Sequence, residues 1–111
     1  MRFIEKKTRL KGIVCSIYCV SDRVHYLSMR ENYIGLRVFF KDEIDIVSND
    51  EIEMVEFKDI VTQKNDKMHP VLLQILKDDW DLYIDIVEGV PDAWSLFLQK
   101  ISEFNFLHKL N

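Results

Sequence analysis

Residues 91–104 read PDAWSLFLQKISEF and predict an amphipathic helix near the C-terminal end of the sequence. Pro91 suits the first turn of a helix, because the missing N–H would have no intrahelical partner there, and Asp92 favours the positive end of the helix dipole. The apolar residues recur at helical spacing, which predicts one buried face. That face consists of Trp94, Phe97, Leu98, Ile101 and Phe104.

The first part of the chain favours antiparallel strands. Residues 13–20 and 24–30 are rich in β-branched and aromatic residues, and the polar residues 21–23 between them predict a turn. A short strand is predicted over residues 43–47 and another strand over residues 52–61, and polar turn residues separate the two. Together these segments predict an antiparallel meander.

A further strand is predicted over residues 33–40. Alternation with period two places four apolar side chains on one face of that strand, and a half-buried strand turns one such face toward the core. We therefore expect the core face to consist of Ile34, Leu36, Val38 and Phe40.

Residues 71–76 and 80–87 are two more strand candidates. A short polar segment separates them, which favours a hairpin. Residues 71–76 could instead form a helix that begins at Pro70. With the C-terminal helix, the pattern predicts a single α+β domain over residues 1–111, in which an antiparallel β-meander is closed by the C-terminal amphipathic helix.

The order of segments in the second half resembles the closing part of pleckstrin-homology-like (PH-like) and GRAM-like domains. The segments that carry the resemblance are VEFKDIV, VLLQIL, DDWDLYIDIVEG and PDAWSLFLQKISEF. The resemblance implies an adaptor that binds a peptide or a membrane headgroup. Those families often have a basic loop between their first two strands, whereas the corresponding turn here is short and carries one arginine, Arg23.

The chain has 111 residues, of which 48% are hydrophobic, and this is enough to build one core without disulfides or metals. No apolar run is long enough for a membrane span, and residues 1–11 are basic without the apolar segment of a signal peptide, so we expect a cytoplasmic protein. The basic stretch predicts a solvated or partly helical arm. Cys15 and Cys19 share one face of a predicted strand about 13 Å apart, too far for a disulfide, and are expected to be buried thiols.

The sequence lacks recognisable catalytic and metal-binding patterns. No Gly-rich turn or nucleophile motif accompanies the cysteines, and the three histidines are scattered without the partner spacing of a metal site. The acidic segments lack the spaced oxygen ligands and the glycine of a calcium loop. We therefore expect neither an enzyme nor a bound cofactor. The three histidines are His25, His69 and His108.

Charge is divided unevenly along the chain. Residues 1–41 hold nine Lys/Arg and three Asp/Glu, a net charge of +6, and residues 42–111 hold six and sixteen, a net charge of −10. The acidic residues concentrate in residues 42–59 and 78–92, and the second of these segments contains no Lys or Arg. Such runs are either solvated surface or a binding surface for a basic partner.

Within residues 80–87, strand alternation predicts a core face of Leu82, Ile84 and Ile86. The opposite, outer face then carries carboxylates with one aromatic and one aliphatic residue, namely Asp81, Tyr83, Asp85 and Val87. Tyr and Trp side chains provide anchoring area at interfaces, and carboxylates steer a basic partner toward them. The predicted protein-binding residues are Asp42, Glu43, Asp45, Asp78, Asp79, Trp80, Asp81, Tyr83 and Asp85.

A small, acidic, non-catalytic domain with such a surface is similar in character to bacterial immunity proteins of contact-dependent inhibition and other polymorphic-toxin systems. The resemblance implies that the chain neutralises a toxin domain by binding it. Many toxin nucleases are basic because they bind nucleic acid, so an acidic inhibitor complements their charge, whereas the phosphates of a nucleic acid would be repelled. The expected partner is therefore a basic toxin domain, with nuclease as its expected activity, and not a nucleic acid.

Overall fold

The structure, a computed structural model, describes residues 1–48, 55–56 and 66–110. Within these residues it contains an antiparallel sheet and three α-helices, so the predicted α+β class is confirmed. The strands are β1 Arg2–Glu5, β2 Lys11–Val20, β3 Arg23–Arg30, β4 Arg37–Phe39, β5 Ile44–Ser48, β6 Val55–Glu56 and β7 Lys67–Met68. The helices are α1 Pro70–Asp78, α2 Trp80–Glu88 and α3 Pro91–Leu110.

Five strands of the sheet run in the order β4-β3-β2-β1-β5, and this part of the sheet is strongly curled. In a flat sheet the two edge strands would lie about 19 Å apart, because neighbouring strands are spaced by about 4.8 Å. A short 3₁₀ turn, Lys41–Glu43, connects these edges, and such a turn rises only about 2 Å per residue. The rings of Phe3 in β1 and Phe39 in β4 also meet, with centroids 5.1 Å apart. The sheet therefore folds over itself.

The curled sheet encloses a small core of its own. The face of the sheet that lines this small core also carries an ion pair, in which Arg30 Nη1 donates to Glu5 Oε1 at 2.6 Å. The pKa of the Glu5 carboxyl is lowered, because the Thr8 hydroxyl donates a hydrogen bond to it and Arg30 stabilises its charge, while burial acts in the opposite direction. A charged, largely buried pair thus joins β1 to β3. The core residues on this face are Phe3, Val14, Phe39 and Ile44.

The opposite face of the sheet packs against the three helices and forms the larger core. Cys15 and Leu27 contribute from β2 and β3, and a bulge in the pairing of these strands lies beside Cys15. Beyond the bulge, β2 pairs with β7, which leads directly into α1. The sheet thereby positions all three helices on one side. The helical members of this core are Leu72, Ile75, Ile86, Ala93, Trp94 and Phe97.

Two glycines allow the segment before β4 to lie against the end of α2. Gly89 caps α2 with φ of 77°, and a Cβ there would lie 2.2 Å from the carbonyl oxygen of Ile34. Gly35 has φ of 113°, and its Cβ would lie 2.9 Å from the carbonyl oxygen of Val87. The backbone N–H of Leu36 donates to that same Val87 oxygen at 3.1 Å. Neither position has room for a side chain.

The predicted hairpin over residues 71–76 and 80–87 is wrong, because these residues form α1 and α2. The helical alternative that begins at Pro70 is correct for the first of them. His69 Nδ1 accepts a hydrogen bond from the Val71 N–H at 3.2 Å and caps α1. Two of the segments that carry the PH-like resemblance are therefore helices rather than strands.

The predicted strand over residues 33–40 shortens to β4, and its predicted core face is wrong. Only Leu36 of the four predicted residues is buried, while Ile34 and Val38 are exposed. The left-handed backbone at Gly35 turns the chain toward α2, so that alternation restarts at β4 and places Phe39 inside the curled sheet.

The other predicted elements have mixed outcomes. The strands over residues 13–20 and 24–30 are confirmed as β2 and β3, and that over residues 43–47 as β5. The N-terminal arm is wrong, because β1 lies in the sheet between β2 and β5. The prediction over residues 52–61 lies outside the described residues except for β6, which pairs with β7.

The C-terminal amphipathic helix is confirmed as α3. Trp94 and Phe97 are buried, Ile101 packs against the same core, and the Phe104 ring meets the His69 ring with centroids 5.0 Å apart. Leu98 differs from the prediction, since 43% of it is exposed. None of the helices in the described part of the chain is both long and apolar enough to cross a membrane.

Candidate protein-binding surface

The acidic segment that begins at Asp78 lies where α1 gives way to α2. The Asp79 N–H donates to the Ile75 carbonyl at 2.8 Å and ends α1, while the Asp79 carboxylate accepts from the Leu82 N–H at 3.1 Å and begins α2. Asp78 accepts a hydrogen bond from the Gln74 side chain. These two carboxylates therefore shape the helix junction as well as contributing negative charge.

Along α2, acidic side chains occupy one helical face. Residues four and seven positions after Asp81 are Asp85 and Glu88, and this spacing places the three carboxylates on one side of a helix. Asp81 and Glu88 are exposed and Asp85 is half-buried. We call these three residues the acidic stripe. In the part of the chain that the structure describes, ion pairs reach only Glu5 and Asp45, so the stripe carries uncompensated charge.

The two aromatic residues of this segment lie differently from the strand prediction. Trp80, which could have completed the core, is 59% exposed, and its ring stacks on Tyr83 with centroids 5.6 Å apart. Tyr83, predicted to point outward, packs against the large core. Burial raises the pKa of Tyr83 to about 12, and the neighbouring Tyr18 and Cys15 add to the effect. Trp80 is therefore the exposed aromatic beside the acidic stripe.

The predicted residues near position 42 lie in a different setting. Asp42 and Glu43 belong to the 3₁₀ turn, where Glu43 Oε1 accepts from the Phe40 N–H at 2.9 Å. Asp45 in β5 forms ion pairs with Lys6 at 4.0 Å and Arg9 at 3.4 Å. Its charge is thus offset by basic residues from the β1–β2 connection. Asp42 is also exposed, and among the described residues its carboxylate has neither a hydrogen bond like that of Glu43 nor an ion pair like those of Asp45.

The structure places the two acidic groups on separate elements. The turn adjoins β5, which pairs with β1, whereas α2 packs against α1 and α3. Glu88 was missing from the predicted site residues, although its spacing from Asp81 is the signal of a helical face that a strand interpretation hides. The candidate surface therefore centres on the acidic stripe, Asp78 and Trp80.

The two cysteines are free and differ in their surroundings. Cys15 is buried, and burial raises the pKa of its thiol to about 12, whereas Cys19 is only half-buried. The prediction that both thiols are buried is therefore correct for Cys15 alone.

We expect a thiol reagent to label Cys19 in the native protein and Cys15 only after unfolding, because the reactive thiolate is scarce and sheltered at Cys15. Titration with Ellman's reagent, with and without denaturant, measures both steps. A Cys19→Ser variant that still reacts rapidly under native conditions would contradict this assignment. So would the absence of any titratable thiol in denaturant without reductant.

Among the described residues, no three or more His, Cys, Asp or Glu side chains cluster in a way that could hold a metal ion. No family model, curated protein sequence or solved structure matches the chain. Proposals about function therefore depend on the geometry and charge of the chain itself.

Proposed function

We propose that this chain is a non-catalytic immunity protein, which neutralises a basic toxin domain, with a nuclease as the expected activity, by binding directly to it. The observation that carries the proposal is the uncompensated acidic stripe on α2 beside the exposed Trp80. Exposed carboxylates without internal partners create a negative field that extends into solvent. That field attracts a basic protein and repels the phosphates of a nucleic acid.

Trp80 supports the same proposal because its exposed ring can contribute binding energy at an interface. Tryptophan is enriched among the residues that dominate binding energy in protein interfaces. The Trp80 ring is already stacked on Tyr83, which is itself fixed in the large core. A ring held in this way loses little conformational freedom when a partner covers it. We therefore assign steering to the carboxylates and anchoring to Trp80.

A triple variant that neutralises the stripe tests the steering role: Asp81→Asn, Asp85→Asn and Glu88→Gln. The binding partner for the test is the C-terminal toxin domain encoded by the neighbouring upstream gene. We expect the association rate constant to fall about tenfold or more at low salt, since steering raises association rates by that order. The slope of the association rate against ionic strength should flatten as well. Stopped-flow kinetics at several salt concentrations measure both quantities.

A matched control removes the same net charge elsewhere, with Asp22→Asn, Glu31→Gln and Glu103→Gln. We expect this control to keep most of the association rate, and both triple variants to keep the melting temperature of the unchanged protein.

Trp80→Ala should instead raise the dissociation rate, because it removes an anchor and leaves the negative field in place. Equal association rates for the two triple variants would place the interface elsewhere. An upstream gene without a secreted, toxin-like C-terminal domain would contradict the immunity proposal.

A further inference from the structure

A cleft of about 570 Å³ opens beside the large core, between the helix-facing side of β1, β2 and β3 and residues of α3. Its floor is a cross-strand quartet, because Arg2 pairs with Ile13 and Ile4 pairs with Lys11 across β1 and β2. Residues paired in this way point to the same face of a sheet. The quartet therefore presents two aliphatic side chains between two cations.

The walls of the cleft are largely apolar, and several of their side chains are exposed to solvent although Trp94 is buried. Trp94 and Leu98 approach from α3, Tyr33 from the segment before β4, and Val47 from β5. Ile13 is 43% exposed and Val47 is 63% exposed, although both are aliphatic. An apolar, concave space of this volume falls in the range of sites for small molecules.

With the Arg30–Glu5 ion pair counted as neutral, the side chains that line the cleft carry a net positive charge of one. Arg30 is neutralised by its ion pair with Glu5, and the Glu31 carboxylate lies at the rim, where it accepts from the Lys11 backbone N–H at 3.1 Å. In the described residues, the side chains of Arg2 and Lys11 have no ion-pair partner. Two free cations and one carboxylate give a net charge of +1, which matches a monoanion.

We propose that this cleft binds a small amphiphilic carboxylate, an alkyl or aryl acid that is free in solution. Its apolar body would cover Ile13, Leu98 and the Trp94 ring, and its carboxylate would accept hydrogen bonds from Arg2 and Lys11. A dianionic phosphate fits less well because Glu31 repels the second charge. A flat bilayer fits less well because the apolar side chains line a concave space between sheet and helix.

Trp94 provides a direct reporter of occupancy. The chain has two tryptophans, so Trp80→Phe leaves Trp94 as the single indole and its position in the cleft wall makes its fluorescence sensitive to a bound molecule. The test titrates this variant with decanoate, below its micellar concentration, and with 1-naphthoate. We expect a saturable change in the Trp94 fluorescence. Decanamide, which has the same chain and no charge, should bind about tenfold more weakly or worse.

The double variant Arg2→Gln/Lys11→Gln, made in the same background, should weaken decanoate binding by about tenfold or more. The matched control Lys7→Gln/Lys41→Gln removes the same charge from exposed positions outside the cleft and should retain the affinity. Leu98→Asp should abolish binding by placing a negative charge in the cleft wall, where it repels the ligand carboxylate.

Equal weakening of decanoate binding in both double variants would overturn the proposal, as would the absence of a saturable change with either acid. Binding to phosphatidylglycerol vesicles that depends on Arg2 and Lys11 would overturn the choice of a free ligand.

Discussion

Phe97→Ala is expected to destabilise the fold by about 3 to 5 kcal/mol, the usual cost of truncating a buried aromatic side chain. Phe97 is completely buried in the large core, where its ring meets the Trp94 ring with centroids 5.6 Å apart. The lost ring would leave a cavity among residues from the sheet and all three helices. Urea denaturation monitored by circular dichroism measures the change in the free energy of unfolding.

The adjacent residue supplies the control for this variant. Leu98→Ala changes a residue that is 43% exposed, and we expect it to cost less than about 1.5 kcal/mol, since only part of its apolar area leaves water on folding. The difference between the two variants tests which face of α3 packs on the sheet. Equal destabilisation by both would show that the helix is rotated from the position described here.

Gly89→Ala is expected to cost about 2 to 5 kcal/mol, the sum of a left-handed backbone penalty and an overpacking penalty. The backbone at Gly89 has φ of 77°, and a Cβ would lie 2.2 Å from the Ile34 carbonyl oxygen. Because the nearest atoms are backbone, a change of rotamer cannot relieve the contact. Thermal denaturation should show the loss directly.

Gly89→Asn separates the two causes of this destabilisation. Asparagine tolerates the left-handed region better than alanine but has the same Cβ, so it removes part of the backbone penalty and keeps the contact with Ile34. We expect Gly89→Asn to remain clearly destabilised. A wild-type melting temperature for Gly89→Asn would show that the 33–36 segment does not lie against the end of α2.

β2, β3 and the last helix could be predicted because the residue composition of the two strands and the apolar spacing of the helix are clear signals. Residues 13–20 and 24–30 are separated by a polar turn, and Trp94, Phe97 and Ile101 recur at the spacing of a helix. Patterns of this kind reflect burial of one face, and burial of one face is what the structure shows for α3. Leu98 departs from the pattern because the stripe is wider than the contact with the sheet.

Residues 71–88 were ambiguous for a physical reason. A short apolar run satisfies strand and helix spacing equally, and Leu82 with Ile86 fits either a strand face or a helical turn. The better signals were local, since His69 and Asp79 each precede a helix as capping residues. These caps indicate a helix over residues 80–88. Helical spacing groups Asp81, Asp85 and Glu88 on one face, whereas strand spacing groups alternate residues.

The candidate surface was predictable in composition and not in geometry. The concentration of carboxylates was visible, but Asp45 is offset by Lys6 and Arg9 only because β1 pairs with β5. Such a contact joins residues far apart in the chain, and local periodicity carries no information about it. The cleft that contains Arg2 could not be predicted for the same reason, since residues of β1 and α3, which are far apart in the chain, line it together.

The curled sheet also bears on how the protein behaves at high concentration. An exposed strand edge offers unpaired backbone groups that another chain can extend, and long, flat, apolar edges are the most prone to do so. Here the strands at the two ends of the five-strand run, β4 and β5, span three and five residues, and each contains a charged residue, Arg37 or Asp45. The short turn that joins them draws both edges out of a common plane. At these two edges, resistance to edge-to-edge aggregation is therefore built into the same turn that encloses the small core.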